Sequence, residues 1–501
     1  MFVIAVFAGP ALAVPAIPAY RVVDDDGMAR PGNCGASRAA HPTIQSAVDA
    51  SASGDAVIVC PGTYVGAVSL PRSIALYGPQ DGVDARGRTG PEAVLTAPGA
   101  WALTSAASDV MVDGFTFADT DIGIRFTGGS GHTVVNDIFD ANVDQGLYEI
   151  SDGTIPTVIE HNAFTADATN VNSNGLFVGG VTADDISINE NSFRDAPSSA
   201  MVLGSGTTVV SDVHVTDNDS VDDATFVVIS NGTDVSVSGN VVDADAVAGG
   251  SLVYIGGSND GLSVTDNVLG GTPNAAVRVT SVFGSANTNV TLDGNTIADS
   301  GYGVRISAGA LTGAMAIGDN TFSGNGTAVE NAAEAALTVN GNRFTGNTHG
   351  VSNLAAAVLD ATGNWWGAAS GPSDWGTGSG NTVGAEIDFF PWATSSAVTT
   401  MRACDGSTAA GVQFTGTSAS EVICGSAGND LIAGGGGADL ILGGTGVDKI
   451  GAGGGADAVI GEAGGDKLGG GPGFDSIQGR AGVDVCSVNQ DGGRVSTCDG
   501  G

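Results

Sequence analysis

Seven aspartates recur every nine residues near the C-terminus: Asp430, Asp439, Asp448, Asp457, Asp466, Asp475 and Asp484. A glycine stands two positions before each of them, from Gly428 to Gly482. An apolar residue stands two positions after: Ile432, Ile441, Ile450, Val459, Leu468, Ile477 and Cys486. Carboxylates at a fixed interval, beside glycines whose φ > 0 geometry turns carbonyls inward, form a set of hard oxygen donors. The chemistry open to them is ligation of calcium, a hard cation that takes about six to eight oxygens. Covalent or acid–base chemistry has no comparable pattern. His132, His161, His214 and His349 share no spacing, and no Ser/His/Asp arrangement or phosphate loop is visible. The adjacent pairs Asp184–Asp185 and Asp222–Asp223 would diverge if they lay in strands.

The nonapeptide G-G-x-G-x-D-x-U-x resembles the hemolysin-type (RTX) calcium-binding repeat. That resemblance implies a parallel β-roll in which six residues form a loop, three form a strand, and two repeats complete a turn. Loops of alternate repeats then stack on one edge. Asp430, Asp448, Asp466 and Asp484 share the first edge, with three sites between neighbours; Asp439, Asp457 and Asp475 share the second, with two. A degenerate repeat at 416–424 carries Glu421 where Asp is expected, which leaves a sixth site with Asp439 doubtful. Without calcium the carboxylates repel and glycine entropy opposes order. The tail is therefore expected to order at calcium near the millimolar range of extracellular modules.

Residues 110–366 repeat on a longer period. The phrase apolar-x-apolar-x-Asn-x-Phe recurs with anchors at Phe115, Asp137, Asn162, Asn191, Asn218, Asn240, Asn267, Asn295, Asn320, Asn342 and Asn364. A period of roughly 20–30 residues with alternating β pattern reads as a solenoid. The anchors are expected to form an inward ladder at a bend, each amide bonding its neighbours, with Asn tolerating the left-handed backbone. Two positions further on stand Phe117, Phe139, Phe164, Phe193, Val242, Leu269, Ile297, Phe322, Phe344 and Trp366, an expected interior column. The passage Thr43–Asp49 with Gly54–Tyr64, the repeats themselves and Asn364–Ser373 together resemble the right-handed parallel β-helix proteins of the pectin-lyase-like superfamily, over residues 40–393. The fold class is therefore all-β, a right-handed parallel β-helix followed by a calcium-binding β-roll. Ile44, Ala47 and Val48 are spaced to cap the open end as the apolar face of a helix.

A β-helix core accounts for inward residues, so function is sought among outward ones. Arg125, Arg278 and Arg305 each lie between apolar neighbours that point in, and therefore point out. Tyr148 and Phe177 are expected in the same column. Aromatic rings can stack on sugar faces and arginine can pair with uronate or sulfate groups, so Arg125, Tyr148, Phe177, Arg278 and Arg305 are candidate glycan contacts. Arg278 and Arg305 occupy matching places in consecutive coils and should be neighbours across the sheet. Asp119, Asp140, Asp167, Asp195, Asp222, Asp243 and Asp299 follow the bend and read as solvated turn residues.

The 501 residues carry 54 Asp plus Glu against 16 Lys plus Arg, a formal net charge of −38. So acidic a chain repels nucleic acid and anionic membranes. Only two lysines occur, Lys449 and Lys467. No continuous apolar run is long enough to span a membrane. Residues 1–13 end in Ala11-Leu12-Ala13 and resemble a signal peptide. Six cysteines suit an oxidising compartment, and although fifteen pairings exist, local bridges Cys34–Cys60, Cys404–Cys424 and Cys486–Cys498 are the simplest. The expected layout is a signal peptide at 1–13, the capped β-helix at 20–393, a connector at 394–424 and the roll at 425–501. These features describe a secreted, extracellular calcium-binding protein that contacts acidic polysaccharide or a cell surface, and whose β-helix shows no catalytic motif in the sequence. The rival is an extracellular polysaccharide lyase or a mannuronan C5-epimerase, since the resemblance implies that epimerases also join a β-helix to RTX repeats. The epimerase phrase Asp-Pro-His-Glu is missing, and the β-helix has no lysine.

Overall fold

The computed structural model describes residues 19–25, 34, 40–244, 250–402, 406–407, 411, 413–489 and 493–498. The expected signal segment 1–13 and Cys404 lie outside them.

The β-helix is built from coils of three short strands. Val290–Asp293, Thr296–Ala298 and Tyr302–Ile306 make one coil. Each strand pairs in parallel with its counterparts in the coils before and after. One resulting sheet has 15 strands and runs from Tyr20–Val23 to Ile387–Asp388. At its start Thr43 caps the helix Ile44–Asp49 by accepting from Ser46 N at 3.1 Å, and Ile44, Ala47 and Val48 are buried. Cys34 and Cys60 are bridged beside this cap, with Cα atoms 5.6 Å apart.

The Asn anchors form the expected ladder. Each backbone N–H donates to the Oδ1 of the next anchor, as from Asn191 to Asn218 (2.9 Å) and from Asn218 to Asn240 (2.9 Å). The left-handed residue, however, is the one before each anchor and not the Asn itself. Asn136, His161, Glu190, Asp217, Asp266 and Asp319 all have φ between 50° and 58°. The chain turns at that residue, whose side chain can face out, while the Asn enters the stack. The interior column is also as expected. Phe117, Phe139, Phe164 and Phe193 stack with centroids 4.6–5.2 Å apart, and Phe344 stacks on Trp366 at 4.8 Å. Ser220 interrupts it between Phe193 and Val242. There Phe226 meets Phe193 edge-on at 6.3 Å.

The roll consists of two sheets that take alternate repeats. One contains Val422–Ala427, Leu440–Thr445, Ala458–Ile460 and Ser476–Gln478; the other contains Leu431–Gly436, Lys449–Gly454, Lys467–Gly469 and Val485–Ser487. Ile432, Ile441, Ile450, Val459, Leu468, Ile477 and Cys486 fill the space between them. The roll has more core than one aliphatic per repeat. Val422, Leu440, Leu442, Ala458 and Ile460, on the other face of the first sheet, join the β-helix core. Polar contacts follow the same seam. Arg480 donates to Ile387 O at 3.0 Å, Glu386 N donates to Gln478 Oε1 at 3.3 Å, and Arg494 donates to Asp374. Asp374, Glu386 and Ile387 belong to the last coil, whose outer backbone edge the roll thus occupies.

Candidate functional site

Two constellations stand out, one in each region. In the roll, the nine-residue spacing and the two-repeat turn bring each aspartate over its counterpart two repeats later. Asp430 N donates to Asp448 Oδ1, Asp448 N to Asp466 Oδ1 and Asp466 N to Asp484 Oδ1, each at 2.8 Å. On the second edge, Asp439 N donates to Asp457 Oδ1 at 2.8 Å and Asp457 N to Asp475 Oδ1 at 3.0 Å. Glu421 N likewise donates to Asp439 Oδ1 at 2.9 Å, so the degenerate repeat joins the ladder through its backbone.

One oxygen of Asp439, Asp448, Asp457, Asp466, Asp475 and Asp484 is thereby engaged, while Asp430 accepts through Oδ2 from Ser426 N at 2.8 Å. The second oxygen is buried and has no donor in Asp439, Asp448, Asp457, Asp466 and Asp484. It faces a cradle lined by carbonyls. A Cβ placed on Gly443 would lie 2.8 Å from Asp448 Oδ2 and 2.6 Å from Gly461 O; on Gly461 it would lie 2.6 Å from Asp466 Oδ2 and 2.9 Å from Gly479 O. Burial, with a neighbouring carboxylate as a smaller cause, raises the carboxyls of Asp439 and Asp448 and pushes those of Asp457 and Asp466 up to about 6. Among the described residues no three Asp, Glu, His or Cys side chains converge as a metal cluster. A cation here must therefore draw on carbonyls as well as carboxylates, as calcium readily does. The buried carboxylate oxygens and their carbonyl neighbours fit that ion.

On the β-helix the outward residues fall into one column. Arg125 pairs in register with Tyr148 and Tyr148 with Phe177; the column continues through Val202, Val228, Tyr254, Arg278, Arg305 and Glu330. Tyr148 and Phe177 stack at 5.3 Å. The three arginines have different surroundings. Arg125 lies between Trp101 (4.0 Å) and Tyr148 (4.9 Å). Arg305 donates to Glu330 at 2.9 Å and lies 4.4 Å from the Tyr302 ring. Arg278 neighbours Arg305 as the spacing predicts, yet has no ion pair among the described residues. Arg305 therefore needs no external anion beside Arg278, since Glu330 already supplies the opposite charge. Trp101 and Glu330 were missed. Glu330 stands one coil beyond Arg305, between the apolar Val329 and the inward Asn331. Trp101 sits on the strand Ala93–Ser105, whose register shifts obscure the alternation.

The turn aspartates stay apart from this column. Asp119, Asp195, Asp222 and Asp299 have φ of 49–62°, and Asp167 accepts from Thr169 N at 2.9 Å. Asp223 and Glu149 are buried in the interior, away from the column. Asp223 accepts from Ala196 N (2.7 Å) and Ser220 Oγ (2.7 Å), and burial pushes its carboxyl up to about 7. Glu149 meets His132 Nδ1 at 2.7 Å with both side chains fully buried, which places the pair out of reach of a substrate. The second and third cysteine pairs differ in what is described. Cys486–Cys498 is bridged with Cα atoms 5.9 Å apart; Cys424 is disulfide-bonded, and its expected partner Cys404 lies outside the described residues.

The family of the RTX calcium-binding nonapeptide repeat (4 copies) matches residues 415–450, 425–459 and 460–492. The C-terminal roll is therefore a calcium-binding RTX module. No curated protein matches the chain. Among solved structures the chain is similar to the catalytic unit of a thermostable GH87 α-1,3-glucanase from Streptomyces thermodiastaticus, at 21% identity and a TM-score of 0.43, covering 69% of this chain and 70% of that one. It is also similar to a PL6 alginate lyase in complex with a trisaccharide, at 13% identity and a TM-score of 0.42, covering 74% and 93%. A third is the A-module of the mannuronan C-5 epimerase AlgE6 from Azotobacter vinelandii, at 14% identity and a TM-score of 0.26, covering 91% and 94%. The parallel β-helix itself stands on the coil-to-coil strand pairing described above. Among the described residues no helix is long and apolar enough to cross a membrane.

Proposed function

We propose that this is an extracellular calcium-binding β-helix protein that holds an acidic glycan against its outer column and does not cleave it. Calcium sits along the two edges of the roll, with Asp430, Asp448, Asp466 and Asp484 as carboxylate ligands on one and Asp439, Asp457 and Asp475 on the other. Glycine-loop carbonyls complete the shell. The observation that carries the glycan reading is the outer column in which Arg125, Tyr148 and Phe177 stand in register at one end and Tyr254, Arg278 and Arg305 at the other, with Val202 and Val228 between them, on one rigid sheet. The disulfides Cys34–Cys60 and Cys486–Cys498 support an oxidising, extracellular setting. Binding is favoured over lyase chemistry because Arg305 meets one carboxylate and Arg278 none among the described residues, whereas a general base needs a cluster that tunes its pKa. Affinity electrophoresis of the calcium-loaded chain through acidic and neutral polysaccharides tests this. Retardation by acidic polymers, weakened in Arg125→Ser, is expected; equal mobility in every gel would remove the glycan reading.

A lyase or epimerase is a second reading, favoured by one feature. Asp144 is raised by burial and by Asp121 and lowered by Arg125, so two carboxylates and an arginine share one end of the column. Ultraviolet absorbance of new double bonds, or an altered uronate composition in a polymer incubated with the protein, would move the assignment to catalysis.

A further inference from the structure

Arg125 and Arg278 of the outer column each have a buried Nε without a hydrogen-bond partner, and of the two Arg278 lines a cavity. Arg125 is covered on both sides by rings and Arg305 is neutralised by Glu330. Arg278 Nε is buried and has no hydrogen-bond partner. Its guanidinium carbon lies 5.9 Å from the Tyr254 ring centroid. A cavity of about 420 Å³ opens there, lined by Arg278, Tyr254 and Phe283 together with the hydroxyl-bearing Ser199, Thr225 and Ser251. That volume falls in the ~300–1,000 Å³ range of small-ligand clefts.

Phe283 is held there by the backbone. Its N–H donates to Gly256 O at 2.8 Å, while Ser285 N donates to Ser258 Oγ at 2.7 Å and Ser258 N to Ser285 O at 2.7 Å. Gly256 is needed for this close approach, since a Cβ there would lie 2.4 Å from Phe283 Cδ2. The Phe283 ring sits 5.6 Å from Tyr254, tilted by 43°, and remains 49% exposed. The result is an aromatic wall fixed beside an unpaired guanidinium.

Resting on the glycan reading above, we infer that this cavity is a subsite for one uronate residue of a polysaccharide. Arg278 would receive the sugar carboxylate through the paired donors of its planar fork, a geometry that suits a carboxylate. Phe283 would stack on the C–H face of the ring, and the hydroxyls of Ser199, Thr225 and Ser251 match sugar hydroxyls as donors and acceptors. The net charge of −38 works against a polyanion at long range. That repulsion is screened beyond about 8 Å at physiological ionic strength, and bound calcium reduces it. Recognition is therefore short-ranged and is measured best with a short oligosaccharide in calcium and physiological salt.

The test is calorimetric titration of the calcium-loaded full chain with a uronate trisaccharide and with its neutral hexose counterpart. Wild type is expected to bind only the uronate. Arg278→Gln and Phe283→Ala should each weaken it about tenfold or more, the loss of one charge-assisted contact. Arg278→Lys should fall between, since it keeps the charge and loses the fork, and it serves as the second variant if Arg278→Gln does not fold. If Arg278→Gln and Arg278→Lys bind as well as wild type while Arg125→Gln binds more weakly, this subsite is wrong and the glycan reading survives. If wild type binds no uronate trisaccharide yet is retarded by acidic polymers, the subsite again falls alone. If neither probe is bound, both fall.

Discussion

The β-helix and the roll use the same backbone device with different side chains. In each, an inward residue on one coil donates its N–H to the Oδ1 of its counterpart on the next. In the helix that counterpart is Asn. Its second atom is a donor, and Asn218 Nδ2 reaches Ile188 O at 3.0 Å as well as Asn240 Oδ1 at 2.9 Å. In the roll the counterpart is Asp, its second atom is another acceptor, and the atom it faces across the cradle is a glycine carbonyl. One ladder is complete with protein atoms alone. The other gathers carboxylate oxygens of which Asp439, Asp448, Asp457, Asp466 and Asp484 each keep one without a donor, and a cation can satisfy them. Exchanging an amide for a carboxylate thus replaces a stack that closes on itself with one that offers ligands to calcium.

The comparison would break most visibly on calcium removal. In chelator the amides of residues 422–487 should lose hydrogen-exchange protection by orders of magnitude, while those of 116–353 keep theirs. The last coil, where Arg480, Gln478 and Arg494 bind backbone or side-chain groups of Ile387, Glu386 and Asp374, should respond in between. The apolar seam formed by Leu440, Leu442, Ala458 and Ile460 carries this coupling between the roll and the end of the helix. Equal protection of the roll with and without calcium would mean that its carboxylates are satisfied otherwise.

A reciprocal exchange sharpens the point. Asn218→Asp puts an uncompensated carboxylate oxygen against Ile188 O, with no glycine cradle to admit a cation. Breaking buried polar order in this way costs about 3–5 kcal/mol. Burial would raise the new carboxyl, so the loss should be small near pH 4 and grow as pH rises, as thermal melts across pH would show. Asp448→Asn should do the opposite in the roll. It lowers calcium affinity, by about tenfold if one charged ligand is lost, and leaves the calcium-free roll less strained. If Asn218→Asp melts like wild type at pH 8, the identity of the second atom does not matter.

Strict spacing made both ladders legible. Seven aspartates in phase allow one stacking only, and anchors at a near-regular period with aromatics two positions on define a coil. What escaped were features that the period does not carry. A second ladder runs through Asn325, Asn347 and Asn381, with N–H to Oδ1 distances of 3.0 and 3.1 Å. Its first two members follow Phe322 and Phe344 by three positions, a signal masked by the stronger anchor. The docking face lies outside the inward aliphatic positions that define the nonapeptide repeat. Leu440 and Leu442 flank Ile441, and Ala458 and Ile460 flank Val459, whereas Lys449 and Lys467 begin the strands of the other sheet, so alternate repeats already differ in their outward residues. The Arg278 cavity depends on Phe283 folding back onto Gly256, which no repeat dictates.

The smallest effect belongs to the one rung where the helix already carries the roll's residue. Asp137 accepts from Phe115 N at 2.7 Å and donates its own N–H to Asn162 Oδ1 at 2.8 Å, as an Asn would. Its Oδ2 is buried without a partner, and burial holds its carboxyl well above the usual carboxylate range. A carboxyl raised in the folded state favours folding fully below its unfolded pKa of about 3.9, and that contribution is lost as pH rises toward the folded value. The protonated form can donate as an amide does; the ionised form cannot. Asp137→Asn should therefore melt like wild type near pH 4 and become more stable as pH rises, by about 1–2 kcal/mol or a few degrees at pH 8. A gain of the same size at every pH would trace the effect to packing. A loss at pH 8 would show that this carboxylate already has a cation of its own, and would make the β-helix, at one rung, chemically like the roll.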